Sequence, residues 1–310
     1  MPAVKRVRPS DIFTAAELQR LGVLSEWRGL QQVIHAWGVI VLTLIACVMF
    51  NHVLVWIAAI PIIGGRQLGL AILMHDAAHG LLHPNRKIND FVGRWCCGEP
   101  IGASLDSYRS YHFKHHKFTQ QPEDPDLVLS APFPVNRESL RRKLLRDLTG
   151  LTFYKQRIAG AATPLGQTAG RTEQAATQAR QANRRFLTGS LVVFALFVLA
   201  GYPLPFLIWA VALVTWFQLA IRVRNIAEHA CTATGEDPFT HARTTLTNLV
   251  GRALLAPYWV NYHAEHHLFA WIPCYRLRQA HAILRSRGHL EKMTIANTYA
   301  SVLRQVSGAT

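Results

Sequence analysis

Between Gly29 and Gly65 the chain carries no Asp, Glu, Lys or Arg, and the apolar character resumes beyond Arg66 as far as Met74. A bilayer-crossing helix needs about 20 predominantly apolar residues, so this stretch is long enough for two. Asn51-His52 is the natural turn, giving spans over Val33–Phe50 and Val53–Met74. A second charge-free run, Phe186 to Ile221, is broken by Gly201-Tyr202-Pro203-Leu204-Pro205. Such Gly/Pro clusters punctuate structure strongly. The run divides into spans over Leu187–Ala200 and Leu204–Ile221. Runs of this length argue against the alternative, a soluble helical protein with two buried hairpins.

Charge supports the same reading. Only 16% of residues are charged, against roughly 25% in soluble domains. Yet 33 Lys and Arg face 18 Asp and Glu, a formal net charge of +15. That basic excess is segregated from the apolar runs, which points to a membrane protein rather than to a nucleic-acid partner. Of the basic residues only Arg66 falls inside a proposed span, and both hairpin turns lack Lys and Arg. By the positive-inside rule the remaining segments are cytoplasmic. The expected fold is an all-α integral membrane protein, a single domain over residues 1–310. Four transmembrane helices form two hairpins (residues 33–74 and 186–221). Residues 1–32, 75–185 and 222–310 supply the N-terminal segment and a cytoplasmic helical cap.

Within the cap, the basic stretches ESLRRKLLRDLTG and RTEQAATQARQANRRF either lie near acidic headgroups or form ordinary solvated helix faces. Five cysteines without a CxxC pair read as reduced thiols. The N-terminal residues lack a short apolar core with a small-residue cleavage site, so insertion is expected to depend on the internal spans. Arg66 is expected either to snorkel toward the interface or to meet a lipid headgroup or a buried acid.

The fifteen histidines are informative through their placement. His75 and His79 form HDAAH just after the second proposed span. His112, His115 and His116 form HFKHH, and His263, His266 and His267 form HAEHH. Residues three and four apart share a helix face, so each cluster aims two or three imidazoles in one direction. Neutral imidazole ligates iron, zinc, copper or nickel. Eight converging imidazoles exceed the four ligands of a single zinc, and two metals are the economical answer. His229, at the cytoplasmic end of the fourth span, is a ninth candidate ligand. Asn225 shares its face and either holds a metal-bound water or caps or bridges helices. Asp76, Glu228 and Glu265 adjoin ligands and either orient imidazoles or serve as caps and solvated charges. Asp124 and Asp126, in the Pro-bounded PEDPDL, either anchor a ligand helix or pair with basic residues. His35, His52, His241, His281 and His289 read as structural or exposed, and His83 ranks below the nine.

The pattern HDAAH, HFKHH and NYHAEHH between two hydrophobic hairpins resembles the membrane fatty acid desaturase superfamily, from about residue 30 to residue 285. The flanking text, YHFKHHKFTQQPEDPDL and NYHAEHHLFAWIPCYRL, is most similar to bacterial fatty acid desaturases, and HDAAHG is similar to the first box of carotenoid ketolases. The resemblance implies two iron ions held by the box histidines and His229, with Asn225 as a water-mediated ligand and no catalytic residue separate from the metal ligands. It implies an O2-dependent oxidoreductase of lipid metabolism, most simply a fatty-acyl or acyl-lipid desaturase. A lipid hydroxylase or carotenoid ketolase is the related alternative, and a non-catalytic metal-binding membrane protein the distant one. Three residues separate the histidines of the first box, whereas acyl-CoA desaturases usually have four; this spacing is more like enzymes of complex lipids or carotenoids. No haem-binding donor domain or HPGG motif is visible, so an external electron donor such as ferredoxin is expected. The expected location is a bacterial inner membrane, with both termini and the metal site cytoplasmic.

Overall fold

The computed structural model describes residues 5–159, 173–234 and 237–308. Residues 1–4 of the N-terminal segment, and Arg171-Thr172 of the second basic stretch, lie outside them. Eleven helices matter here: α1 (Ala15–Gly22), α2 (Arg28–Phe50), α3 (Val53–His79), α4 (Leu105–Phe118), α5 (Arg137–Leu148), α6 (Glu173–Leu199), α7 (Pro205–Val214), α8 (Trp216–His229), α9 (His263–Leu268), α10 (Leu277–Ser286) and α11 (Tyr299–Val306). Strands β1 (Arg243–Thr245) and β2 (Thr294–Ala296) pair in parallel, with Thr244 opposite Ile295. Among the described residues this short ribbon is the only β-structure.

Three helical segments are long and apolar enough to cross a membrane: α2, α3, and α7 with α8 taken as one run from Pro205 to His229. The turn between α2 and α3 falls at Asn51-His52. Asn51 ends α2 in the left-handed region at φ 38°, and His52 Nδ1 accepts the Leu54 N–H at 3.2 Å as the N-cap of α3. Leu187–Leu199 forms the apolar end of α6, and Gly201 turns the chain toward α7 at φ 81°. Thr215 bends the last run at φ −118°, ψ −84°, which separates α7 from α8.

Two helices extend further than the hydropathy alone suggested. α3 does not stop at Met74 but continues to His79, so the first histidine box forms its final turns. Likewise α8 continues past Ile221 to His229. Both carry apolar anchoring residues and site residues on one rod.

Arg66 departs from both expectations. Its side chain is buried, donates to the Ala253 carbonyl at 2.5 Å, and lies 5.6 Å from the centroid of the Tyr258 ring. The carbonyls at the end of the helix Leu249–Leu254 lack intrahelical partners, and the guanidinium fills that need. Neighbouring Gly65 explains the close approach: a Cβ there would stand 2.5 Å from the same Ala253 oxygen. Gly65→Ala is therefore expected to lower stability by about 1–3 kcal/mol through overpacking against backbone. The check is the thermal unfolding midpoint in detergent, and an unchanged midpoint would contradict the contact.

A second core assembles Phe13, Leu21, Phe269, Ile272, Leu277 and Leu284. It pins the N-terminal segment and α1 against α9 and α10, which brings residues 5–9 beside the histidines.

Candidate metal centre

The ends of α3 and α8 are held by arginines from elsewhere in the chain. Arg109 of α4 donates to the carbonyls of Ala78 (2.9 Å) and Ala77 (3.1 Å), just before Gly80 ends α3 in the left-handed region at φ 79°. Arg243 of β1 donates to the carbonyls of Ala227 (3.0 Å) and Ala230 (2.8 Å) at the end of α8. Cations are favoured at helix C-termini, where the last carbonyls are unpaired. Each clamp fixes a helix end that carries site histidines.

All nine candidate histidines come together, in two neighbouring groups. His75, His79, His112, His116 and His266 form one, and His115, His229, His263 and His267 the other; within each, one nitrogen per ring lies within 4.8 Å of the others. The rings of His116 and His267, one from each group, have centroids 4.3 Å apart.

The H-x-x-H-H spacing acquires a geometric meaning. At about 100° per residue, the first and last histidines of the motif point nearly alike and the middle one points elsewhere. On α4, His112 and His116 enter the five-histidine group while His115 enters the four-histidine group. On α9 the roles reverse: His263 and His267 enter the four-histidine group and His266 the other. Each helix straddles both sites.

The four-histidine group has its tautomers set from outside. His115 Nδ1 donates to Asp124 Oδ1 at 2.8 Å, and His229 Nδ1 donates to the His241 carbonyl at 3.1 Å. His263 Nδ1 lies 3.3 Å from Glu228 Oε1. Thr119 Oγ1 donates to the His115 carbonyl at 2.8 Å and lies 3.3 Å from His267 Nδ1, placed to accept from it. With every Nδ1 engaged, each Nε2 presents a lone pair to the centre of the group. The Nε2 atoms are 2.8 Å apart for His229–His263, 3.0 Å for His263–His267 and 3.3 Å for His115–His267.

Hydrogen bonding among the rings does not account for these contacts. In the five-histidine group His116 Nε2 is 2.9 Å from both His112 Nε2 and His266 Nε2. A ring nitrogen either donates one proton or accepts on one lone pair, so it cannot serve as donor to one neighbour and acceptor from another. Adjacent nitrogens about 2.1 Å from one shared ion stand roughly 3 Å apart, which matches. His79 Nε2 is buried without a hydrogen-bond partner, as a ligand atom facing an ion would be. Burial pushes the imidazoles of His112, His116, His263, His266 and His267 well below their ordinary pKa. They are neutral near pH 7, the state that ligates. The residues fit two metal ions.

The flanking carboxylates divide. Asp76 Oδ1 lies 3.5 Å from His75 Nδ1, while its other oxygen accepts the Cys274 N–H at 2.9 Å. Glu228 meets His263 and also accepts from Arg224 at 2.6 Å. Glu265 departs from the expectation that it orients a site imidazole. It accepts from His281 Nδ1 at 2.5 Å and from the Thr244 hydroxyl, bolting α9 to α10 and β1. Helical geometry explains this: Glu265 lies two positions after His263 and two before His267, about 160–200° around α9 from both, which turns it to the opposite face. Asn225 lines a cavity of about 30 Å³ together with His115, His229, His263 and Glu228, room enough for a water molecule.

Sequence reading missed Thr119, the His241 carbonyl and the stacking partner of Tyr108. Tyr108 stacks on His112 with centroids 5.1 Å apart. No spacing rule marks these contacts, because one comes from a backbone carbonyl and the others from residues common on any helix. Of the other histidines, His35 meets the Tyr258 hydroxyl at 3.0 Å and His83 accepts the Asn85 N–H at 2.9 Å. Neither joins a group.

Residues 51–296, which contain all nine histidines, match the family model for fatty acid desaturases. The chain belongs to the fatty acid desaturase family. Members of that family are oxidoreductases, and they are metal-dependent. This desaturase-family chain is also similar to dihydrorhizobitoxine desaturase of Bradyrhizobium elkanii, at 28% identity over 237 residues. That alignment covers 73% of this chain and 66% of the relative, just under two thirds of the relative's length.

Proposed function

We propose that the chain is an O2-dependent, di-iron membrane oxidoreductase that introduces a C=C bond into a substrate with an apolar chain. The observation that carries this reading is the division of nine imidazoles, six of them buried and three partly buried, into adjacent groups of five and four. When bound, a pair of irons supplies O2 activation with two external electrons, and through it removal of hydrogen from an unactivated C–H bond.

The protein's own part is positional. His75, His79, His112, His116 and His266 would hold one iron, and His115, His229, His263 and His267 the other. Asp124, Glu228, Thr119 and the His241 carbonyl hold the Nδ1 protons and so keep each Nε2 aimed inward. Asn225 would steady a water in the small cavity beside the four-histidine group. Asn225→Ala is expected to leave the iron content near two per chain while slowing turnover. Metal analysis alongside rate measurement checks this, and iron loss without a rate effect would count against it.

Desaturation is favoured over hydroxylation or ketone formation by family membership and by the similarity to a desaturase. In our reading α2, α3, the apolar end of α6, and α7–α8 make four spans in two hairpins. The histidines then lie at the cytoplasmic ends, in a bacterial inner membrane, with a separate protein such as a ferredoxin delivering electrons. The test is purified protein assayed for iron and O2 uptake with a reductant, with products read by mass spectrometry. Two irons per chain and loss of two hydrogens are expected. A gained oxygen would assign hydroxylation instead, and absence of iron would remove the enzyme reading.

A further inference from the structure

Tyr258 and Trp259 are consecutive non-glycine residues in the left-handed region, at φ 54° and φ 64°. Bulky residues rarely adopt that conformation, and it persists only where surrounding contacts hold it. Here the turn delivers its two rings to different partners. Tyr258 packs on α3 and α2: a Cβ on Gly69 would stand 2.8 Å from its ring, and its hydroxyl donates to the Gln32 carbonyl at 2.9 Å. Trp259 instead meets two guanidiniums, Arg252 at 4.2 Å and Arg278 at 5.3 Å from the ring centroid.

The arrangement recurs next door. The turn Cys274–Arg276 packs against Pro257–Trp259, and its Tyr275 ring has Arg28 at 5.7 Å and Arg276 at 5.6 Å. Arginines from separate elements are thus gathered on two neighbouring rings, whose faces attract cations. Arg276 also donates to the Arg20 carbonyl. Among the described residues no Asp or Glu lies within ion-pair distance of any of the four. Their surroundings are apolar on one side. Arg28 is the first residue of α2, a helix long and apolar enough to cross a membrane. The helix that bears Arg252 begins with Leu249 and Val250, 73% and 63% exposed, and packs beside Gly65 of α3. Trp, Tyr and arginine at the end of a span are the residues of the headgroup layer, and clustered cations there attract anionic lipid. An acidic soluble partner would match the charge but not Leu249 and Val250. A lipid, with phosphate above acyl chain, matches both.

We propose that Arg252 and Arg278, with Arg28 and Arg276 beside them, bind the headgroup of an anionic phospholipid. The site lies at the end of the α2–α3 hairpin that carries the first histidine box. The proposal rests on the reading above that α2 and α3 cross a bilayer. The lipid is a resident anchor distinct from the substrate. It bears on the metal centre through the chain itself, because Trp259 precedes His263 by four positions.

The test is native mass spectrometry of the full chain released from detergent micelles, titrated with palmitoyl-oleoyl phosphatidylglycerol or the matching phosphatidylcholine. The two lipids share their chains and differ in net headgroup charge. The parent is expected to bind the first phosphatidylglycerol about tenfold tighter than phosphatidylcholine. Arg252→Gln/Arg278→Gln, which keeps part of each stem beside Trp259, should reduce that preference about fivefold or more. Arg278→Gln alone, at an exposed position, should already reduce it about threefold, so the outcome does not depend on the double variant folding. An equal charge change further along the chain, Arg285→Ala/Lys292→Ala, should leave it within about twofold. Equal reduction by both double variants would reveal a net-charge effect and overturn the site. A parent preference below about twofold would also overturn it and leave the arginines to an acidic protein. Displacement of the lipid by equimolar sn-glycerol 3-phosphate would identify a soluble phosphate ligand, with the same consequence. A full chain that stays dispersed without detergent or lipid would sink the membrane reading and the proposal with it. A missing preference in a chain that needs detergent sinks the proposal alone.

Discussion

His116→Ala should empty the five-histidine group and reduce product formation to below about 1% of the parent rate, because loss of mere supporting contacts to a metal ligand already costs 10–100-fold. His116 is the strongest choice because its Nε2 stands 2.9 Å from two other ring nitrogens of its group. Its ring also touches His267 of the four-histidine group. Metal analysis should fall from two irons toward one per chain, and the loss should be selective because His116 belongs to only one group. Wild-type iron content with wild-type turnover would remove His116 from the ligand set. A collapse of the fold would instead appear as loss of both irons together with a lowered unfolding midpoint.

Asp124→Ala should weaken metal retention by about 10–100-fold, the range typical of a lost acceptor behind a ligating imidazole. The carboxylate is buried and accepts three hydrogen bonds: from His115 Nδ1 at 2.8 Å, the Gln120 N–H at 2.9 Å and the Asp126 N–H at 2.8 Å. Without it the His115 proton is free to move to Nε2, which would remove the lone pair facing the site. Asp124→Asn keeps an acceptor oxygen but loses the charge, and is expected to fall between parent and alanine variant. Competition with a chelator, followed as iron release against chelator concentration, reads all three. Identical release curves would show that His115 needs no such support.

Three of the four expected spans reappear as helices long and apolar enough to cross a membrane, legible because length is a one-dimensional property: a charge-free stretch such as Gly29–Gly65 has few other places to go. The histidine boxes were legible for a similar reason, since helical periodicity converts spacing into direction. Neither signal extends to partners far away in the chain. That His112 and His116 share a group with His266, while His115 joins His263 and His267, depends on how α4 and α9 meet. Glu265 looked like a site carboxylate because it sits among histidines, yet α9 turns it toward Thr244 and His281. Arg66 looked like an interfacial charge because the open carbonyl of Ala253 lies 187 positions away. The helix-end clamps by Arg109 and Arg243 were unreadable for the same reason: their acceptors are backbone atoms, which every residue has.

The continuity of α3 from Val53 to His79 has a mechanical consequence. Gly65 and Arg66 lock one part of the rod against the segment Ala253–Leu254, while His75 and His79 work at its tip. One extra residue inserted between Gly69 and Met74 would rotate the tip by about 100° and advance it by about 1.5 Å. Both imidazoles would then swing out of phase with α4 and α9, although no side chain had been replaced. The rod behaves as a camshaft, and the timing of the first box is encoded in the number of residues between lock and tip.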